Sequence, residues 1–173
     1  MAGLGADESF EAWYGKEHPG LLAALTLATG NVEVAQDLVS EAFARALERW
    51  DRVSKMASPG GWVRQVAVNL LRRTYRRAAM ERRLLGRQWE ATEQTPLEAM
   101  DPDLWAAVTA LPPRQRAVLA LRAVLDLSQA ETARLLGIRP GTVSATLVEA
   151  RRRVTVALPR DDTAPSASEV PHG

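Results

Sequence analysis

Cysteine is missing from the 173 residues, which excludes disulfides, thiolate nucleophiles and Cys-ligated zinc and agrees with a reducing compartment. Histidine is nearly missing: His18 and His172 lie near opposite ends, so no His-rich metal cluster can form. Long apolar runs are also absent. The longest uncharged stretch, 19–32, has 14 residues, short of what a membrane crossing needs, and no basic segment precedes an apolar one at the N-terminus. Neither secretion nor membrane insertion is expected, and a cytoplasmic protein is. The signatures GxxxxGK(S/T), GxSxG, HExxH and the EF-hand loop do not occur, so no enzyme, cofactor, metal or small-molecule substrate is expected. Period-two alternation is missing as well, whereas apolar residues recur at helical spacing nearly throughout, which predicts an all-helical fold.

Charge is present in nearly equal amounts, 22 basic against 21 acidic side chains, but it is laid out in blocks. Net charge runs −4 over residues 1–60, +6 over 61–90, −4 over 91–112, +5 over 113–158 and −2 over 159–173. The two basic blocks are candidate phosphate-facing surfaces.

Helix signals divide the chain further. A first helix over roughly Phe10 to Thr29 is expected to break or bend at Pro19 and Gly20. Asn31 is an N-cap for a second helix, whose apolar stripe is Ala35, Leu38, Val39, Ala42, Phe43, Ala46, Leu47 and Trp50. Ser58 and Pro59 open a third, with Trp62, Val63, Val66, Ala67, Leu70 and Leu71 on one side and an arginine run beyond. Residues 86–102 lack an apolar stripe and read as a linker. Asp101 and Pro102 then cap a helix through Leu111, and Pro112 and Pro113 break it and start another to about Leu125. Ser128 with Glu131 forms a capping box for a short helix that Gly137 stops, and a last helix follows from about Pro140 to Leu158. The tail, 159–173, reads as disordered from its Pro, Ser and Asp content.

Three constellations could carry function. The short helix, the turn at Gly137 and the helix from Pro140 have the layout of a helix-turn-helix, against which stands an ordinary helical hairpin. The arginines of 72–87 are interleaved with Trp62, Asn69 and Tyr75; cations hold phosphate, aromatics stack on unpaired bases and amides read base edges, so the mixture suits single-stranded nucleic acid. Alternatively, Trp62 and Tyr75 are core and Asn69 serves nearby backbone. Asp37 and Glu41, four residues apart, form an acidic face, solvated or docked on a basic partner helix.

With these motifs placed, the chain resembles the extracytoplasmic function (ECF) class of bacterial RNA polymerase sigma factors, particularly actinobacterial members. VAQDLVSEAFARALERW (Val34 to Trp50) is similar to the region 2 signature that docks on the polymerase clamp. GGWVRQVAVNLLRRTYRR (Gly60 to Arg77) is similar to the segment that opens the minus-ten element. LPPRQRAVLALRAVLDLSQAETARLLGIRPGTV (Leu111 to Val143) is similar to region 4, which reads the minus-thirty-five element.

The resemblance implies two small helical domains, a region 2 bundle over 7–86 and a region 4 helix-turn-helix over 103–158, with a flexible linker over 87–102 between them and a tail over 159–173. It implies core RNA polymerase and promoter DNA as partners, and an anti-sigma factor as a further one. Asp37, Ser40 and Glu41 would meet the polymerase. Trp62, Asn69, Arg72, Arg73, Tyr75, Arg76 and Arg77 would hold the melted strand. Arg139, Gly141, Thr142, Ser144, Thr146, Arg151 and Arg152 would meet the duplex. Two departures stand out. Ser40 replaces the family's usual Gln, and the Lys-Ser-Arg type triplet and later cation that usually follow GTV are here Ser144, Ala145, Thr146 and Glu149. That substitution predicts weakened or retuned groove binding; of the two rival readings it supports a sigma-like decoy and argues against a stand-alone helix-turn-helix regulator.

Overall fold

Eight helices make up residues 9–85 and 100–158, the part of the chain that the computed structural model describes, and no strand occurs among these residues. The linker read at 86–102 lies, but for its last three residues, outside them, as do residues 7 and 8 of the expected first domain and the whole tail, 159–173.

The first helix, α1, runs unbroken over Phe10–Thr29 with Pro19 inside it, where a break or bend was expected. Proline removes one i→i−4 bond, the one to the carbonyl of Gly15, and both residues lie on the solvent side, so water can satisfy the freed oxygen. Gly30 ends the helix at φ +74°, a left-handed conformation that glycine adopts without a Cβ penalty, and its N–H returns to the Thr26 carbonyl. Asn31 then caps α2 (Val32–Leu47) by accepting from the Val34 N–H at 2.9 Å. Its apolar stripe is buried as read, except that Leu47 is 56% exposed and Trp50 belongs to a separate short turn, α3 (Trp50–Val53).

α4 (Pro59–Leu85) starts where the Ser58 and Pro59 signal places it, with the Ser58 hydroxyl accepting from the Gly61 N–H at 3.1 Å. Val63, Ala67 and Leu71 bury against α1 and α2, and Arg64 pairs with Glu17 of α1 at 3.1 Å. The bundle is sealed at one end by Trp13, whose ring lies 5.3 Å from Phe43 and 4.9 Å from Trp50 between centroids.

The later helices are α5 (Pro102–Thr109), α6 (Pro113–Ala123), α7 (Gln129–Leu136) and α8 (Pro140–Ala157). Asp101 caps α5 by accepting from two backbone N–H groups, and the Ser128–Glu131 capping box of α7 is complete. Val118, Ala133, Val143 and Leu147 form the small core that fixes α6, α7 and α8.

These two bundles pack on each other. α6 lies along α1, and Trp105, Val108, Ala117 and Ala120 join the same buried cluster as Leu21, Leu25 and Ala28. Val68 of α4 is buried under Leu121, Leu127 and Leu135. At the join the buried Arg116 guanidinium donates to four backbone carbonyls, those of Ala28 (3.0 Å) and Thr29 (3.4 Å) at the end of α1 and those of Thr109 (2.8 Å) and Leu111 (3.2 Å) at the end of α5. A cation placed on two helix C-termini meets the negative ends of both dipoles as well as their unsatisfied oxygens.

Candidate nucleic-acid interface

α2 turns its polar side outward. Asp37 and Ser40 are exposed there, and Glu41 is exposed but engaged, accepting from Arg45 at 2.8 Å along the same helix. The buried Leu38, Val39 and Ala42 on the opposite side fix this orientation, so the acidic face cannot rotate inward without exposing the stripe.

On α4 the spacing 62, 69, 73 and 76 places Trp62, Asn69, Arg73 and Arg76 on one side, opposite the buried Leu71. Asn69, Arg73 and Arg76 are exposed there and Trp62 is half-buried. Trp62 borders a groove of about 430 Å³ shared with Glu41, Arg45, Glu48 and Arg49 of the α2 end, so the aromatic and the acidic face adjoin. Exposed Asn69 accepts from Gln65 Nε2 at 3.2 Å through its amide oxygen, a bond that does not use its own amide N–H groups. Arg77 is exposed and bonded to Glu81 at 2.9 Å.

Arg72 and Tyr75 sit elsewhere. Arg72 is half-buried, with its guanidinium against the turn at Gly137: a Cβ added there would lie 3.1 Å from Nη2. The Tyr75 hydroxyl donates to the Ala28 carbonyl at 2.6 Å, and burial pushes its pKa up to about 12 against the opposing pull of Arg116. In this arrangement the ring belongs to the join between the bundles. A helical projection read beforehand would separate Tyr75 from Trp62 and Asn69, since it falls on the Leu71 side.

The helix-turn-helix is built as the cap signals indicate. Gly137 turns the chain at φ +66°, and Gln129 Nε2 donates to the Pro140 carbonyl at 2.8 Å, tying the start of α7 to the start of α8. Arg139, Gly141, Ser144, Arg151 and Arg152 are exposed, whereas Thr142 and Thr146 are half-buried on the flanks. Glu149 collects both Arg152 (2.9 Å) and Arg153 (2.7 Å), and their hydrogen bonds hold its carboxyl down at about 2. Two of the three consecutive arginines therefore spend donors on a neighbour one turn back. Sequence reading took Ala145 only as a departure from the family triplet and passed over Val148; both are exposed on the outer side of α8, and the spacing 141, 145, 148 and 152 already gives that stripe.

Among the described residues no group of three or more His, Asp or Glu could hold a metal ion, and no helix is long and apolar enough to cross a membrane.

Comparison with known proteins matches these features. Residues 10–81 match the family model Sigma-70 region 2, and residues 102–154 match Sigma-70, region 4. The RNA polymerase sigma-E factor of Streptomyces antibioticus is 32% identical over 133 residues, 74% of this chain and 72% of that one. The sigma-E factor of Streptomyces coelicolor is 29% identical over 160 residues, 87% of this chain and 86% of that one. Among solved structures, the sigma factor RpoE of Bartonella quintana, in complex with the anti-sigma factor NepR, has the same fold at a TM-score of 0.72 and 22% identity, covering 88% of this chain and 98% of that one. Sigma factors are not enzymes, and with both regions present in order and relatives of this similarity, the chain belongs to the ECF group of RNA polymerase sigma factors.

Proposed function

We propose that this sigma factor docks on core RNA polymerase through the acidic face of α2, captures the melted minus-ten strand along α4 and places α8 in the major groove of the upstream element. The observation that carries the reading is the outward stripe of half-buried Trp62 and exposed Asn69, Arg73 and Arg76, which adjoins the acidic face of α2 at Glu41. A strand held there would stack on the Trp62 indole, present a base edge to the Asn69 amide and lay its phosphates on Arg73 and Arg76. Extruding one base costs about a few kcal/mol, which these contacts and the polymerase must supply. Arg72 and Tyr75 join that set only if the join between the bundles loosens, since both now face it, and Arg77 joins it by exchanging Glu81 for a phosphate.

An anti-sigma partner is part of the proposal, because the solved relative of this fold was captured with one. Reconstitution with core polymerase tests the reading. Asp37→Arg should abolish the complex, whereas Trp62→Ala and Asn69→Ala should keep the complex and lose promoter opening, read by permanganate reactivity of unpaired thymines. A complex that resists Asp37→Arg, or opening that survives both α4 substitutions, would refute it.

The engagement of Arg152 and Arg153 by Glu149 favours a second reading, a decoy that holds polymerase without reading promoters. It predicts a stable polymerase complex and no start-site-specific transcripts.

A further inference from the structure

The face that α8 offers to a duplex is short of the side chains that read purines. Residues 140–150 contain no Arg, Lys, Asn or Gln, so neither the bidentate guanidinium contact to guanine nor the bidentate amide contact to adenine can come from the first three turns. Val143, Leu147 and Ala150 are buried at 1%, 8% and 0% exposure and fix which side faces inward. Directly opposite stand Gly141, Ala145 and Val148, and Val148 is 68% exposed. Nothing lies within 4 Å of a Cβ placed on Gly141, so the helix can approach a surface closely at that end. Arg152, next on the same stripe, is tied to Glu149, while Arg139 at the N-cap and Arg151 three turns further on are exposed.

We infer that α8 reads thymine, through contact of the Ala145 and Val148 methyl groups with thymine C5-methyls in the major groove. The inference rests on the reading of the second bundle as a duplex-binding helix-turn-helix. The major groove is the occupant that fits: an apolar strip one helix wide, with exposed arginines at its start (Arg139) and beyond its end (Arg151) for phosphates, complements a groove whose floor carries methyl groups and whose walls are anionic. Ser144, exposed beside the strip, can add one hydrogen bond to a base or phosphate. Specificity would thus come from methyl packing and a close backbone approach in place of charged forks, which accounts for the loss of cations from this helix without loss of readout.

The test removes only the methyl group. Promoters are selected from a randomised library with core polymerase and the full chain, and each thymine of the upstream element is then replaced by uracil. Wild-type protein should lose about fourfold in affinity for each contacted thymine so changed, the factor expected for one buried methyl. Val148→Ser and Ala145→Gly, both at exposed positions, should bind thymine and uracil promoters alike. Equal binding of the two by the wild type would overturn the inference, as would a selected upstream element without thymine on either strand. If transcripts start specifically with no upstream preference, the sigma reading stands and this inference fails. Failure to retain any duplex at low salt would overturn the helix-turn-helix reading beneath it. Loss of partner affinity in Val148→Ser without a thymine effect would assign the strip to a protein contact and overturn it too.

Discussion

Glu149 is a single carboxylate that decides how much positive charge α8 can show. Its pKa lies near 2 in the folded chain, below the ordinary 4.5, because Arg152 and Arg153 bond to the ionised form. The contribution is complete above about pH 4.5 and is lost as pH falls toward 2, so the pairing holds throughout physiological pH. Glu149→Gln should therefore free the two guanidinium groups and steepen the salt dependence of duplex binding by about one to two units, measured as log affinity against log salt. Tyr75 behaves in the opposite sense. Its folded pKa is raised from 10.0 to about 12, so the stability it adds is whole below pH 10 and disappears as pH climbs toward 12. Tyr75→Phe should lose about 1 kcal/mol at neutral pH by urea unfolding. It should also lack the wild type's further loss above pH 10.

At the level of elements, caps made the sequence readable. Asn31, Ser58, Asp101 and Ser128 each accept the backbone N–H that their position predicts, because a cap is a local bond between residues two to three apart. Pro19 misled for the converse reason: the cost of an internal proline depends on where its orphaned carbonyl points, which only packing decides. What Arg72 and Tyr75 meet was illegible in the same way, although the helical projection sets Tyr75 on the Leu71 side. Both sit in a run of phosphate-binding cations and aromatics, and only packing sets the Tyr75 hydroxyl on the Ala28 carbonyl of α1, beside Arg116, and the Arg72 guanidinium against the turn after α7. Ser128→Ala should cost about 1 kcal/mol through the lost cap. Gly137→Ala should cost about 1–2 kcal/mol for a non-glycine residue at φ +66°, with Arg72 also forced to move, and circular dichroism melts can rank the two.

For the whole molecule, the decisive residue is Arg116, whose guanidinium sits on the ends of α1 and α5 and, among the described residues, bonds to backbone carbonyls and to no carboxylate. Arg116→Met should keep the side-chain bulk, take the Arg116 donor from the Thr29, Thr109 and Leu111 carbonyls while Ala28 keeps Tyr75, and cost about 3 kcal/mol, read by denaturant unfolding. Because Trp105, Val108 and Ala117 share one cluster with Leu25 and Ala28, heat should melt the described residues in one calorimetric transition, and Arg116→Met should split or broaden it.

A practical corollary concerns dissection by truncation. Cutting the gene between α4 and α5 would bare Ala28 and Val68 on one fragment and Ala117 and Leu121 on the other, all at 2% exposure or less in the intact chain. Each fragment would carry a raw greasy scar, so its insolubility would say nothing about the competence of the surfaces it retains.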